Sequence, residues 1–488
     1  MAIRYHSTNN HTEKAGFREA ILNGMASNYG LYMMDSADVP KLGLDNIGAL
    51  ESMSYAEIAY RVLLPFVKPD IADTAFRELL AEAYDERVIP VKLEHVTGST
   101  SLMWLSGGPT YSFKDFAARF FGRVLNHFLK ESGLQRVVVV ATSGDTGGAV
   151  AHALLGLENV FNVVLFPKGS ISEQQRRQMT TLGKNIHAFA VNGDFDVCQE
   201  IAKALLGDRE FAGRCFGDRE RFTSANSISL GRLLPQAVYP FFAYSRLGLR
   251  GKPMIASVPS GNFGDMMGTV IAKEMGLPLK TIVIGVNENR EFPEFLGSGT
   301  YEIKPSRWSP STAMIVSNPS NFARLIEFYG GHVYDERDKQ TGNITKPGII
   351  DRMPNLEAMR RDIYSISVSN EQHYDTIKQV YERYGVILEP HGSVGWKALE
   401  KYTAGKHEEP AVVYETADPG KFPEDIEKAI GMMPVIPEGI KKQQSLEERI
   451  YAIESPPSID SSGNKRMGAA QYDETKEKIR AIFAGESE

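Results

Sequence analysis

The sequence has only two cysteines, Cys198 and Cys215, in 488 residues. Two cysteines cannot form a disulfide framework, and no group of cysteines and histidines has the spacing of metal ligands, so we predict no metal site. A chain without disulfides is typical of a reducing compartment. The N-terminus has no apolar segment of the signal-peptide kind, and no apolar run is long enough to cross a bilayer. These absences predict a cytoplasmic protein with no membrane partner.

An excess of positive charge is also missing. The chain has 54 Lys and Arg against 61 Asp and Glu, which gives a net charge of −7, and it contains no Lys/Arg tract. This balance excludes the electrostatic pattern of a nucleic-acid-binding protein. A chain of 488 residues is too long for one hydrophobic core, so two or three domains are expected.

The first 95 residues differ from the rest of the chain in their hydrophobic pattern. Periodic apolar positions predict helices at Phe17–Met25, Ser54–Phe66 and Ile71–Tyr84. From about residue 100 onward, strands, loops and helices alternate, which is typical of parallel βαβ units.

This change of pattern predicts three parts. Residues 1–95 form a mostly helical segment, 96–225 a smaller α/β domain that carries Lys114, and 226–488 a larger α/β domain that ends in a helical tail. Residues 287–320 are rich in Gly, Pro and Ser and are predicted as a long loop.

Lys114 lies in the segment Gly108–Phe116, at the point where an apolar pattern with helical spacing begins. Ser112 is a natural N-cap, and Asp115 gives the helix a start that resembles a capping box. Lys114 is therefore predicted in the first helical turn, where the positive end of the helix dipole lowers the pKa of an amine. An imine-forming lysine needs such a lowered pKa, although an arbitrary lysine is more often a plain surface residue.

Two glycine-containing loops follow predicted strands and precede predicted helices. Gly261–Asp265 is one, and it is neither a Walker A loop nor a dinucleotide fingerprint. Its amides and the helix dipole favour an anion, although a simple turn is an equal alternative. Ser143–Gly147 is the other, and Asp145 would repel a bound anion there. Either Asp145 turns away and caps its own helix, or Ser143 and Thr146 hold the anion further back.

Isolated polar residues are weaker candidates. Arg232 could bind a phosphate bidentately together with Asn226 and Ser227, but an arginine lying along an aromatic helix is the simpler interpretation. Lys168 reads as a turn lysine, and His391 as a structural histidine. A helix-start lysine combined with a dedicated phosphate loop indicates pyridoxal 5′-phosphate bound as a Schiff base.

Several motifs then occur in the order that one family shows. The chain resembles the threonine synthases, which belong to the fold-type II, tryptophan synthase β-like group of pyridoxal-phosphate enzymes. The resemblance implies two doubly wound α/β domains with an N-terminal helical segment. The matching segments are Tyr5–Thr8, Phe17–Tyr32, Gly108–Phe116, Ala141–Gly147, Asn226–Ile228 with Arg232, Val258–Asp265 and Glu415–Phe422.

The resemblance also implies roles for individual residues. Lys114 would carry the cofactor and act as the catalytic base, and Thr416 would hydrogen-bond the pyridine nitrogen as a neutral hydroxyl. The remaining cofactor-binding residues would be Phe113, Gly261, Asn262, Phe263, Gly264 and Asp265. The substrate-binding residues would be Ser143, Gly144, Asp145 and Thr146 for the carboxylate side, with Lys168, Asn226, Ser227 and Arg232 for the phosphate.

The implied reaction converts O-phospho-L-homoserine and water to L-threonine and phosphate, the last step of threonine biosynthesis, in a monomer or homodimer. One alternative is a phospho-lyase that degrades O-phosphohomoserine or O-phosphothreonine to 2-oxobutyrate. Another is a silent relative that only binds a phosphorylated ligand. The chain departs from the family at Asp418, where histidine is frequent, and this puts details of the site in doubt.

Overall fold

The structure is a computed structural model that describes residues 2–218, 221–337, 344–405, 407–459 and 465–484. The chain divides into two compact units. The first unit contains the N-terminal residues through 120, except 22–24, together with 227–436; the second contains 22–24, 121–226 and the residues from 437. The three-part division proposed from the sequence remains a prediction. The start of the Lys114 helix belongs to the same compact unit as residues 227–436, and residues 121–226 belong to the other unit.

A six-stranded sheet forms the centre of the first unit. Five of its strands are parallel to one another, and only the edge strand Lys92–Thr97 is antiparallel. The strands lie in the order Ile363–Ser367, Leu279–Val286, Met254–Pro259, Ala411–Glu415, Thr100–Trp104 and Lys92–Thr97. The central strands are buried along their whole length, as expected for a parallel sheet covered on both faces.

Helices cover this sheet, and the predicted N-terminal helices are confirmed at Phe17–Asn23, Tyr55–Val67 and Asp73–Ala83. The other helices that begin in the first unit are Leu44–Gly48, Lys114–Ser132, Leu230–Leu233, Val238–Arg246, Gly264–Glu274, Glu291–Ser298, Phe322–Phe328, Leu356–Asp362, Asn370–Tyr384, Pro390–Tyr402 and Pro423–Ile430.

The prediction of a mostly helical N-terminus missed a small antiparallel sheet. It contains Asn10–Ala15, Tyr5–Ser7 and Tyr32–Met33, in that order. The strands are at most six residues long, too short for the period-two pattern to stand out. A separate hairpin pairs His332–Arg337 with Ile344–Arg352.

The second unit has its own parallel sheet of five strands. Their order is Ile450–Ile453, Ile186–Val191, Val160–Pro167, Arg136–Ala141 and Phe222–Ser224. The helices of this unit are Asp145–Leu154, Glu173–Thr180, Phe195–Gly207, Arg209–Phe216, Glu438–Gln443 and Ala469–Ala484, and a two-residue pairing joins Ser458–Ile459 to Lys465–Arg466.

Two local predictions need correction. Residues 287–320 are not a single loop, because Glu291–Ser298 forms a helix that buries Phe292 and Phe295. The tail is more than polar helices, since Ile450–Ile453 joins the five-stranded sheet beside Ile186–Val191. Among the described residues, no helix is both long and apolar enough to span a membrane.

Arg324 is a fully buried cation on the helix Phe322–Phe328. Its guanidinium donates to Tyr32 O at 3.0 Å, to Asn321 Oδ1 at 2.7 Å and to Ile228 O at 2.6 Å. Burial lowers the pKa of Arg324 to about 9, which leaves it charged at neutral pH. One side chain therefore links the N-terminal sheet to two later segments of the first unit.

Arg324→Ala should lower the free energy of unfolding by about 3 kcal/mol or more, because three buried acceptors lose their donor. Urea denaturation measures this loss. Arg352→Ala is the matched control, since the exposed Arg352 also donates to two carbonyls, Gly330 O and Gly331 O. It should cost less than about 1 kcal/mol, and equal losses in the two variants would contradict the assigned role.

Candidate active site

Three neighbouring parallel strands of the six-stranded sheet end at the predicted site segments. Met254–Pro259 leads into the loop Gly261–Asp265, Ala411–Glu415 leads into Thr416, and Thr100–Trp104 leads into the segment before Lys114. Ligands of open parallel sheets bind at this carboxyl edge. The first unit therefore contains both the lysine and the phosphate loop that the sequence predicted.

A short backbone pairing fixes the residues before Lys114. Phe113 N donates to Thr416 O at 2.8 Å, Asp418 N donates to Tyr111 O at 3.1 Å, and Ser112 forms an antiparallel bridge with Ala417. Lys114 follows directly and begins the helix Lys114–Ser132, so its predicted position in the first helical turn is confirmed.

The helix start differs from the predicted capping box. Ser112 Oγ accepts from Lys114 N at 3.3 Å, but Asp115 bonds back to Thr110, accepting from its N at 2.8 Å and its Oγ1 at 2.6 Å. Lys421 Nζ holds the same residue by donating to Thr110 O at 2.9 Å. A side chain at Gly108 would collide with the Asp115 carboxylate, which explains the glycine.

The loop Gly261–Asp265 opens the helix Gly264–Glu274, and Phe263 has a left-handed backbone with φ of 62°. A Cβ on Gly261 would lie 2.8 Å from Met314 Cα, so only glycine fits there. The N–H groups of a first helical turn have no partner within the helix and can bind an anion. Asn262 Oδ1 accepts from Ser320 N at 3.2 Å, which holds the exposed end of the loop.

The carboxylate of Asp265 turns away from such an anion. It accepts from Ser260 Oγ at 3.1 Å and from Met266 N at 2.9 Å, and the residue is buried. Burial raises the pKa of Asp265 to about 6, against the opposing effects of these hydrogen bonds and of the Lys114 charge. The positive charge of Lys114 therefore favours the ionised form of Asp265, a buried acid whose pKa is about 6.

Thr416 is backed by a buried carboxylate. Its Oγ1 donates to Glu389 Oε1 at 3.0 Å, and Gly392 N donates to the same oxygen at 3.0 Å. His391 Nδ1 lies 2.5 Å from Glu389 Oε2, while His391 Nε2 accepts from Ala313 N at 3.1 Å. Because Nε2 is an acceptor, the ring proton is on Nδ1 and is donated to Glu389.

A second buried carboxylate, Glu415, lies beside Glu389 and accepts from Glu389 N at 2.6 Å. Burial, followed by the charge of Glu389, raises the pKa of Glu415 well above its ordinary value. Burial also acts to raise the pKa of Glu389, but the proximity of His391 and the hydrogen bonds from His391 and Gly392 outweigh it, so this pKa is lowered. Of the two carboxyl groups, Glu389, which contacts Thr416, is therefore the one that ionises more readily.

Arg232 and Ser227 also belong to the first unit. Arg232 is buried, and burial lowers its pKa to about 10, with Tyr239 and Asp115 acting in the opposite direction. Arg232 therefore stays charged at neutral pH. It interacts electrostatically with Asp115, the residue that follows Lys114. Ser227 O accepts from Asn321 Nδ2 at 3.4 Å.

The other predicted substrate residues lie at the carboxyl edge of the second unit's sheet. At the start of this unit's helix Asp145–Leu154, Thr142 Oγ1 accepts from Gly144 N and Gly147 N, each at 2.9 Å. Asp145 is buried, and its carboxylate accepts from Gln175 Nε2 at 3.2 Å. Ser143 is exposed.

Lys168 and Asn226 follow two strands of the same sheet, Val160–Pro167 and Phe222–Ser224, which are separated by Arg136–Ala141. Lys168 Nζ is exposed and pairs with Glu454 Oε1 at 2.8 Å, which gives its charge a partner within the second unit. Asn226 Oδ1 is buried and has no hydrogen-bond partner among the described residues. Lys168 is therefore the predicted phosphate ligand with the least structural support.

Glu389 is not among the residues predicted from the sequence, and His391 is predicted there only as a structural histidine. The structure places Glu389 at the N-cap and His391 inside the helix Pro390–Tyr402. The pattern Glu-Pro-His carried a usable signal, since proline at the first helical position follows a capping residue. Its connection to Thr416 is tertiary and is not visible in the local sequence.

Asp418, the departure that put the site in doubt, has a local role. Its side chain accepts from Gly420 N at 2.8 Å and caps the short helix Pro419–Lys421.

Comparisons with known proteins agree with this geometry. Residues 104–415 match the family described as pyridoxal-phosphate dependent enzyme. Residues 4–84 match the threonine synthase N terminus, and 392–460 match the threonine synthase C-terminal family.

Individual relatives cover nearly the whole chain. The threonine synthase of Pseudomonas aeruginosa is 36% identical over an alignment of 463 residues, and the match covers 92% of this chain and 96% of the relative. The PLP-bound threonine synthase from Brucella melitensis superimposes with a TM-score of 0.85 at 31% identity, over 98% of this chain and 99% of that one. The threonine synthase from yeast gives a TM-score of 0.85 at 29% identity, over 99% of both chains.

Asp265→Asn tests the buried acid, because asparagine Oδ1 can still accept from Ser260 and Met266. The raised pKa of about 6, against an ordinary 3.8, means that folding favours the protonated acid. This stability is complete below the ordinary pKa and is lost as pH rises through 6.

In the absence of cofactor, the free energy of unfolding of the variant, relative to that of the wild type, should therefore rise by about 2 kcal/mol from pH 4 to pH 8. Urea denaturation measures this difference. Asp208→Asn, which removes a helix-capping carboxylate from the second unit, is the control and should show no such gain. A pH-independent difference for Asp265→Asn would contradict the assignment.

Proposed function

The chain belongs to the threonine synthase family of pyridoxal-phosphate-dependent enzymes, and we propose that it converts O-phospho-L-homoserine and water to L-threonine and phosphate. Its substrate is a small molecule, and its cofactor is pyridoxal 5′-phosphate. The observation that carries the proposal is the pairing that holds Lys114 beside Thr416, next to the strand that ends in Gly261–Asp265.

The residues of the first unit fit the cofactor. Gly261 lies where a Cβ would overlap the backbone of Met314, so the loop approaches its neighbour closely and leaves main-chain N–H groups as the phosphate ligands. Because the Asp265 carboxylate points inward, it contributes its backbone and not its charge. We therefore assign the phosphate to Gly261, Asn262, Phe263, Gly264 and the main chain of Asp265.

The cofactor supplies an electron sink for negative charge that develops on the substrate carbons. Lys114 Nζ would bind it and then remove the proton from the substrate α carbon, and the same amine would move protons at the β and γ carbons. Phosphate leaves from the γ carbon and water adds at the β carbon. Phe113 would hold the lysine, since Lys114 Nζ lies 4.6 Å from the centre of its ring.

Glu389 changes the role expected for Thr416. A hydroxyl has one proton, and Thr416 Oγ1 gives it to the Glu389 carboxylate. The Thr416 oxygen could then only accept a hydrogen bond from the pyridine nitrogen of the cofactor. Such a bond would require that nitrogen to be protonated. Thr416 with Glu389 thus favours a stronger electron sink than a lone neutral hydroxyl would, and Glu389 acts as a positioning residue.

For the substrate, we propose Ser143, Gly144 and Thr146 as carboxylate ligands, with Asp145 supporting their loop through Gln175. Arg232, Ser227 and Asn226 are proposed for the phosphate, where buried donors would stabilise charge on the leaving group. Lys168 is proposed only as an outer contributor.

We further propose a cytoplasmic location and a monomer or homodimer. Both cysteines are free thiols, and burial raises the pKa of Cys198. A thiol held in its protonated form fits a reducing compartment.

The products formed from O-phosphohomoserine test the function. Threonine and phosphate are expected, whereas 2-oxobutyrate and ammonia would instead support the phospho-lyase alternative.

Lys114→Ala should lose turnover by at least about 10³-fold, because the amine that moves the protons is gone. Borohydride should attach the cofactor to Lys114 in the wild type and in Lys273→Ala, a control on the nearby helix Gly264–Glu274. Absence of that adduct would refute the proposal.

Glu389→Gln tests the carboxylate behind Thr416. Removing its charge should shift the ring nitrogen toward the unprotonated form and lower kcat more than it raises KM. The ¹⁵N resonance of labelled cofactor in the resting enzyme reports the protonation directly. Glu291→Gln is the matched control, because Glu291 is also buried in the first unit and plays no part in the site. An unchanged resonance in Glu389→Gln would exclude an effect of Glu389 on the ring nitrogen through Thr416.

A further inference from the structure

Two histidines and two carboxylates meet at the small N-terminal sheet. His6 lies on the strand Tyr5–Ser7, His11 on Asn10–Ala15, Asp35 just after Tyr32–Met33, and Glu327 near the end of the helix Phe322–Phe328. Each residue offers one nitrogen or oxygen atom, and all four atoms lie within 4.8 Å of one another. All four residues belong to the first unit.

The inner half of this group is buried and incompletely paired. The side chain of His6 is 3% exposed and that of Glu327 is 8% exposed. His6 Nε2 contacts Glu327 Oε1, and His11 Nε2 lies 3.0 Å from the same oxygen. Glu327 Oε2 is buried and has no hydrogen-bond partner among the described residues. A buried carboxylate oxygen without a donor is costly, so it needs another ligand.

Hydrogen bonds alone explain the arrangement poorly. The two imidazole rings are stacked with centroids 4.0 Å apart, and both direct Nε2 to one carboxylate. If both rings were protonated, their charges would repel at this separation. If both are neutral, each ring can present the Nε2 lone pair that metal ions bind.

We propose that His6, His11, Asp35 and Glu327 form a binding site for one Zn²⁺ ion. Two imidazole nitrogens and two carboxylate oxygens are ligands that zinc accepts in tetrahedral geometry. Bond lengths of about 2.0–2.1 Å place tetrahedral ligand atoms about 3.3 Å apart. The exposed side chains of His11 and Asp35 can close the remaining distance and let the ion enter from solvent.

The surrounding charge is compatible with a bound cation. Asp35 and Glu327 supply two negative charges against Lys14, which is exposed, and Arg324, whose donors are used on Tyr32, Asn321 and Ile228. These two nearby carboxylates therefore favour a bound cation.

Four protein ligands leave no open position, so the site is structural. It would join the three strands of the N-terminal sheet to the helix Phe322–Phe328, which lies far along the chain. Zinc bound only by the folded chain should raise its melting temperature by mass action.

The holoenzyme, freed of metal with a chelator and dialysed, is titrated with Zn²⁺ and separately with Co²⁺. One equivalent per chain is expected, with the visible absorption of tetrahedral Co²⁺ and a zinc-dependent rise in Tm. His11→Ala and Asp35→Asn should each weaken Zn²⁺ binding at least tenfold and abolish the Tm shift. Both residues are exposed, so neither substitution endangers folding.

His332→Ala is the control, because His332 also pairs with a carboxylate, Asp351, at 2.6 Å but belongs to the separate hairpin. It should bind zinc as the wild type does. Failure of the wild type to bind, octahedral Co²⁺ spectra, or equal affinity in His11→Ala and the wild type would each overturn the proposal. Threonine formation is measured in parallel, so that a failed metal site and a failed assignment of function are told apart.

Discussion

The backbone pairing between residues 111–113 and 416–418 determines where Lys114 lies. It continues, beyond the sheet edge, the contact between the neighbouring strands Thr100–Trp104 and Ala411–Glu415. Tyr239 and Lys421 add bonds to Phe113 O and Thr110 O, at 3.1 and 2.9 Å. A lysine side chain is long and flexible, so an amine is useful only if its own backbone is held in this way.

A second constraint is charge in a buried place. Glu389, Glu415 and Asp265 are buried carboxyl groups, and Arg232 is a buried cation. Isolated charges of this kind would be expensive, so each is neutralised or bonded. Burial raises the pKa of Glu415 well above its ordinary value and that of Asp265 to about 6, and Glu389 accepts hydrogen bonds from His391, Gly392 and Thr416. The same low-dielectric surroundings that make these groups costly also strengthen their influence on a bound cofactor.

Much of this could be predicted from local sequence. The parallel sheets, the start of the helix at Lys114, and the loop Gly261–Asp265 at a strand end each depend on patterns within ten residues. The link from Glu389 to Thr416 could not, because it joins a helix N-cap to a strand end 27 residues away. Likewise the strand Ile450–Ile453 looks unremarkable in the sequence until Ile186–Val191 provides its partner. Tertiary pairing, and not propensity, decides such elements.

The N-terminal sheet shows why long-range contacts carry information that spacing cannot. His6 and Glu327 are 321 residues apart, so no ligand-spacing pattern includes both. The helix that carries Glu327 follows Asn321, whose side chain donates to Asn262 O at 2.9 Å in the loop Gly261–Asp265. Arg324 of the same helix binds Tyr32 O. Arg324 and Glu327 of this short helix therefore contact the N-terminal sheet, and Asn321 at its N-cap contacts the loop Gly261–Asp265. Whatever stabilises the sheet therefore also stabilises the loop.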